Sequence, residues 1–390
     1  MTDTKTSLQL DRIQRIALIA GLLGLAISGA GFWASRAQFF LSYLLGFVFW
    51  AGLALGCFAV LLLHHTFGAG WGFVIQRTLE AGTRTFPLVA VLFLPLLLGL
   101  HDLYEWAHVD AVAADPILRH KQPYLNVGFF IARAAFYFAA WIGVSTVLNQ
   151  WSKRLDATGD PRLAARLRNA GPPGLLVYGL TATFAMVDWV MSLDPHWFST
   201  MFGLMFIAGQ VLATIAFATL IARLLSDGEP ISGFARPAHF HDLGNLLLAF
   251  TMIWAYLSFS QFLIIWSGNA PETITFYKAR SSGGWEWIAL VLVAFGFALP
   301  FVILLSRQTK RRIRVLAVVA AIVLVMRFVD LFWVLTPTLH PGRLTLHGSD
   351  LAAPIGIGGI WLAFFIHQLK RRPLLPQGDP RMKEAPAHGG

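Results

Sequence analysis

Long apolar runs, each close to the ~20 residues a helix needs to cross a bilayer, alternate along this chain with short polar stretches. Ten runs qualify, at about 14–34, 39–63, 85–103, 125–149, 173–193, 197–223, 242–266, 285–306, 314–336 and 351–369. They predict ten transmembrane helices. One segment breaks the pattern. WGFVIQRTLEAGTRTF (Trp71–Phe86) mixes apolar and charged positions, which predicts a short amphipathic helix lying along the membrane interface. The leading stretch MTDTKTSLQLDRIQR is polar, and the run behind it is too long for a signal-peptide core. A retained first helix is therefore expected.

Composition agrees with the periodicity. The chain has 390 residues, of which 56% are hydrophobic and 13% charged, whereas a soluble domain carries about 25% charge. The chain reads as an all-α integral membrane protein in which 1–390 form a single polytopic domain. Basic residues set its orientation. The loop after span four holds Lys153, Arg154, Arg162, Arg166 and Arg168 against Asp156 and Asp160. The loop after span eight reads SRQTKRRIR, and Lys370–Arg372 follow span ten. HDLYEWAHVDAVAADPILRHKQ, after span three, has four acids against two bases. Both termini are thus expected in the cytoplasm, with 371–390 a cytoplasmic tail. The +10 net charge is accounted for by these loops and calls for no nucleic acid.

The chemistry this chain lacks is informative. Cys57 is the single cysteine, so no cysteine cluster is present to hold zinc, an iron–sulfur centre or a c-type haem. The twelve histidines fall at helix ends, in loops or in the tail, which argues against haem b. No covalently attached or metal cofactor is expected, and no hydrolase or nucleotide-binding motif is present.

Ionisable groups inside spans are costly and rare. Here the deep ones are Arg133 in span four, Asp188 in span five, and Arg327 with Asp330 in span nine. Arg327 and Asp330, three apart, share one helix face. Glu286 opens span eight; His101, Asp102 and Glu105 close span three; His196 sits in the turn after span five. The orientation places this set toward the outer face, with Asp242 the exception. Two readings compete: ion pairs that fix helix packing, or a quinone pocket or proton path opening outward, with Asp188, Glu105 and His196 as the candidate bases.

A repeat bears on that choice. Val187, Asp188, Leu193 and Pro195 recur at the same spacing as Val329, Asp330, Leu335 and Pro337. The offset of four spans suggests two four-helix bundles, spans two to five (39–193) and six to nine (197–336), flanked by spans one and ten. Gly-rich GIGGI (Gly356–Ile360) in span ten reads as a close helix contact.

The stretches HKQPYLNVGFFIARAAFYFAAW, DWVMSLDPHWFSTMFG and FHDLGNLLLAFTMIWAYLSFSQFLIIWSGN, continuing through GGWEWIALVLVAFGFALPFVILLSR, resemble the second polytopic, NrfD-like membrane subunit of alternative complex III, a bacterial quinol:cytochrome c (or other acceptor) oxidoreductase. The resemblance covers roughly 85–310 and the rest in architecture. It implies a place in the bacterial inner membrane beside a sister ten-helix subunit, an iron–sulfur subunit and c-type haem subunits. Membrane lipid and quinol (menaquinol or ubiquinol) would be the small partners, in a respiratory or photosynthetic electron-transport chain. The chain itself would be non-haem and not catalytic alone. Two other functions stay open: a purely structural scaffold of that complex, or a secondary transporter, whose polar residues would lie near the midplane on broken helices.

Overall fold

In the computed structural model, residues 4–376 and 378–384 are described, and every regular element among them is helical. The principal helices are α1 (Thr4–Phe32), α2 (Arg36–Phe67), α3 (Gly70–Thr83), α4 (Phe86–Leu98), α5 (Val127–Thr158), α6 (Pro161–Trp189), α7 (Phe202–Leu225), α8 (Pro237–Gly268), α9 (Trp285–Leu305), α10 (Ile313–Leu335) and α11 (Ser349–Lys370). Among the described residues, nine helices are long and apolar enough to cross a membrane. α3 and α4, which meet at a 41° bend, are long and apolar enough as a pair to make a tenth. The chain is a multi-pass membrane protein.

The helix ends follow from local chemistry. Ser35 and Asn126 accept the backbone N–H of Gln38 and Phe129 and so cap α2 and α5. Gly68 and Gly159 close the same two helices in the left-handed conformation, where a Cβ would be strained. Within α9, Leu292–Ala298 form a π-helical stretch immediately before Pro300. Proline has no N–H for the carbonyl four residues back, and its ring crowds that carbonyl. The preceding turn widens in response.

Contacts at the two ends show that α3–α4 crosses the bundle. Arg77 of α3 pairs with Asp156 near the end of α5. Asp102, just past α4, pairs with Arg36 at the start of α2, and Lys370 pairs with Asp11. One end of the bundle therefore collects the basic loops, hereafter the basic end, and the other collects the acid-rich loop 104–124. Helices α2, α3, α4, α5 and α6 pack together, as do α7, α8, α9 and α10, and the groups meet where α7 lies against α2 and α6.

α1 and α11 pair closely on the flank. A Cβ on Gly24 would stand 2.6 Å from the Gly356 nitrogen, and one on Gly359 would stand 2.4 Å from Gly21 Cα. The glycines of span ten thus make the close helix contact their sequence predicts.

One expectation is corrected. α3 does not lie on an interface: Gly72 through Thr83 are all buried. A Cβ on Gly72 would lie 1.8 Å from His64 Nδ1, and one on Gly82 2.4 Å from Cys57 Sγ, so glycine lets α3 press against α2. The described part of the 371–390 tail packs back on the helices, while 377 and 385–390 lie outside the described residues. Leu374, Leu375 and Asp379 are buried, and Arg372 and Arg381 reach into the helices.

Candidate functional site

The deep charges divide into two sites of different character. In the first group of helices, α5 and α6 lie side by side and bring Arg133 and Asp188 together. Arg133 Nε and Nη2 donate to the two Asp188 oxygens at 2.8 and 2.9 Å. Tyr137 Oη donates to Oδ2 at 2.8 Å. Arg133 also donates to the Tyr124 carbonyl at 2.8 Å, with its guanidinium 3.8 Å from the Tyr124 ring centroid. Asp188 is 1% exposed. A bidentate, three-donor contact of this kind is a strong charge-assisted arrangement, and it leaves the carboxylate closed to any ligand. Beneath it Trp189, Trp141, Phe93 and Phe138 pack in an aromatic layer.

In the second group the ion pair is made within one helix. Arg327 Nη1 lies 2.9 Å from Asp330 Oδ2. That is close enough for attraction, but Arg327 Nη1 and Nε are both without an aligned hydrogen bond. The pair sits on the wall of a cavity of about 840 Å³ bounded by α7, α8, α9, α10 and the segment 274–286. Most of its lining is aromatic or aliphatic. Trp254, Ser258 and Gln261 of α8, spaced i, i+4, i+7, face it together. Tyr256, Phe259, Leu290 and Val293 line it too while remaining largely exposed. The cavity therefore opens sideways through the face that would meet lipid, between α8 and the π-helical part of α9.

The segment Pro271–Lys278 and the turn after it form the cavity roof. Arg280 holds this roof to the end of α10, donating to the carbonyls of Phe276, Trp333 and Val334. Its guanidinium lies 3.6 Å from the Phe276 ring centroid. Burial pulls the Arg280 guanidinium down to about 9, which leaves it charged at neutral pH and suited to the terminal carbonyls of a helix. Burial pushes the Tyr277 phenol up to about 12, so it enters hydrogen bonds as a neutral group. Gln261 Nε2 donates to it at 3.3 Å.

The remaining predicted residues are spread over the acid-rich end. Glu286 lines the cavity, but one carboxylate oxygen accepts the Gly284 N–H at 2.9 Å. His196 Nε2 stands 2.5 Å from Asp115, and its Nδ1 stands 4.0 Å from Glu105. That contact, with the Ile117 and Leu118 amides, holds the Asp115 carboxyl below the usual carboxylate range. The His101 and His108 rings are 5.1 Å apart, and Asp102 faces Arg36 at 3.2 Å. None of His101, Asp102, Glu105 and His196 lines the cavity. The expected single outer set therefore resolves into a closed pair, a cavity pair with Glu286 nearby, and a separate surface cluster.

Sequence reasoning missed a third buried site, at the basic end, outside the set of charges singled out from the sequence. Glu80 of α3 is fully buried. It accepts from Arg77 Nη1 (2.7 Å), Arg372 Nη1 (2.8 Å), Ser152 Oγ (2.6 Å) and Gln76 Nε2 (2.9 Å). Arg77 reaches on to Asp156. The available signal was Arg77 and Glu80, opposite charges three apart on an otherwise small or apolar segment.

Compared with protein-family models and with curated proteins, the chain matches none.

Proposed function

We propose that this chain is the non-haem membrane subunit of a quinol oxidoreductase complex of the alternative complex III kind. In this reading it lies in the bacterial inner membrane with both termini cytoplasmic. It works beside a sister ten-helix subunit, an iron–sulfur subunit and c-type haem subunits, and the cavity of its second bundle takes quinol. The observation that carries the reading is the lateral cavity of about 840 Å³ with Arg327 and Asp330 on its wall. An isoprenoid tail needs an apolar cleft open to lipid, and a ring hydroxyl needs a base and a donor at the inner end. Asp330 is the carboxylate placed to accept that proton. Arg327, beside it on the wall, holds that carboxylate at 2.9 Å. Asp188 takes no part, because its oxygens are occupied by Arg133 and Tyr137.

A secondary-transporter reading draws on the broken helix α3–α4, since transporters bind substrates at such breaks. Here the carboxylate near the break is already engaged by Arg77, Arg372, Ser152 and Gln76. The quinol reading is therefore preferred.

The test is photolabelling of the purified complex with an azido-quinone. Label on cavity residues of α8 and α9, displaced by excess quinol, is the expected result. A preparation with neither an iron–sulfur nor a c-haem partner, or label confined to other surfaces, would sink the proposal. Labelling without any loss of turnover in Asp330→Asn would reduce this chain to a quinone-binding scaffold.

A further inference from the structure

A second, much smaller cavity of about 20 Å³ lies where the two helix groups meet. Val48 and Gly52 of α2, Gly209 and Gln210 of α7, and Arg327 and Leu331 of α10 border it. Its polar lining is unbalanced. Gln210 is 6% exposed; its Oε1 accepts from Tyr178 Oη at 2.8 Å, and its Nε2 is buried with no partner. Arg327, also 6% exposed, brings a buried Nε and Nη1 that lack aligned acceptors. The guanidinium is admitted by the absence of a side chain at Gly209, where a Cβ would fall 2.1 Å from Nη2. At Gly52 a Cβ would meet Gln210 Cγ at 3.4 Å.

Buried donors of this kind are normally satisfied, and a space above roughly 10–15 Å³ with two or more polar partners holds a water. We propose that one water occupies this cavity, accepting from Gln210 Nε2 and from the Arg327 guanidinium. Charge selects a neutral occupant. Arg327 already faces Asp330, so an anion would leave uncompensated negative charge among apolar helices. The water completes a hydrogen-bonded line from Tyr178 in α6 through Gln210 in α7 to Arg327 and Asp330 in α10. It ties the wall of the large cavity to the opposite bundle and fixes Arg327 as a positioning residue for Asp330. The site stands independently of what fills the larger cavity.

The experiment is a density map of the full chain, in its native assembly, at a resolution that shows internal waters, combined with radiolytic oxygen labelling. Val48 and Leu331 are the reporters, because they border the small cavity and not the large one. A peak within hydrogen-bond distance of Gln210 Nε2 and Arg327 is expected, with oxygen incorporation at both reporters. Gln210→Leu removes the donor at similar volume, and Gly52→Ala puts a methyl into the space with no contact closer than 3.4 Å; each should abolish the peak and cut labelling several-fold. Where neither variant folds, the wild-type map alone decides. A wild-type map with no peak, labelling unchanged in both folded variants, or an anomalous bromide peak at the site would overturn the proposal.

Discussion

Asp188 and Asp330 stand at matched places in two helices of like design, yet they live in opposite environments. Each lies near the end of its helix, and each helix runs into a short 3₁₀ turn, Met191–Leu193 or Thr336–Thr338. The difference lies in where the cation comes from. Asp188 takes Arg133 from the neighbouring α5, so the ion pair clamps two helices together. Asp330 takes Arg327 from its own helix, and the same repeat offset puts Ala185 opposite Arg327. A pair within one helix neutralises charge without holding a second helix. In the second group α9 is widened by a π-helical turn, and a cavity opens beside the pair. A cross-helix pair builds a core, whereas a same-helix pair leaves a charged wall facing open space.

The largest effect should come from breaking the clamp. Asp188→Ala strands a buried Arg133, which costs about 3–5 kcal/mol. Thermal unfolding and membrane yield should both collapse, and Arg133→Leu/Asp188→Leu together should recover most of the loss. A stable Asp188→Ala single variant would break the comparison. Next comes Asp330→Asn. Asn keeps the side-chain volume but removes the charge facing the buried Arg327, which should cost about 1–3 kcal/mol, less than the loss of the cross-helix clamp. Under the proposed function, quinol turnover of the complex should fall by about 10²-fold, the usual scale for losing a general base. The mirror result, an inert Asp330→Asn beside an inactive but stable Asp188→Asn, would reverse the assignment.

Glu80→Gln gives a smaller change. The amide keeps some contacts at the basic end but loses the charge facing Arg77 and Arg372, which should cost about 2 kcal/mol and loosen residues 371–376. Limited proteolysis of the tail reads this directly. The smallest effect is at the surface. The Asp115 carboxyl is held below its ordinary value, chiefly by His196. The contact is therefore fully present above about pH 4 and is lost as pH falls through the lowered folded value. In His196→Ala the Asp115 titration, followed by NMR, should move up toward the ordinary range.

The helical membrane architecture was legible because hydrophobicity is additive along the chain. A run such as 314–336 declares its burial whatever surrounds it, and the ends set by Ser35, Asn126 and Gly159 need only local hydrogen bonds. The charges inside apolar runs were legible one by one, since a charge there is conspicuous, whereas Arg77 and Glu80, buried in a mixed segment, were not. Their partners were not. Arg133 and Asp188 are 55 residues apart, and Arg372 meets Glu80 across 292; no local pattern encodes contacts that depend on which helices pack side by side. Trp71–Phe86 shows the limit most plainly, because a mixed segment has the same composition on an interface as inside a polar core.

The sequence by itself determined that this chain crosses a membrane repeatedly, and which residues would be hard to bury, because both follow from the transfer energies of single side chains. Only the tertiary structure decided which charges close a core and which face a cavity. Pairing energy depends on distance and alignment between helices, and those quantities exist only once the helices have packed.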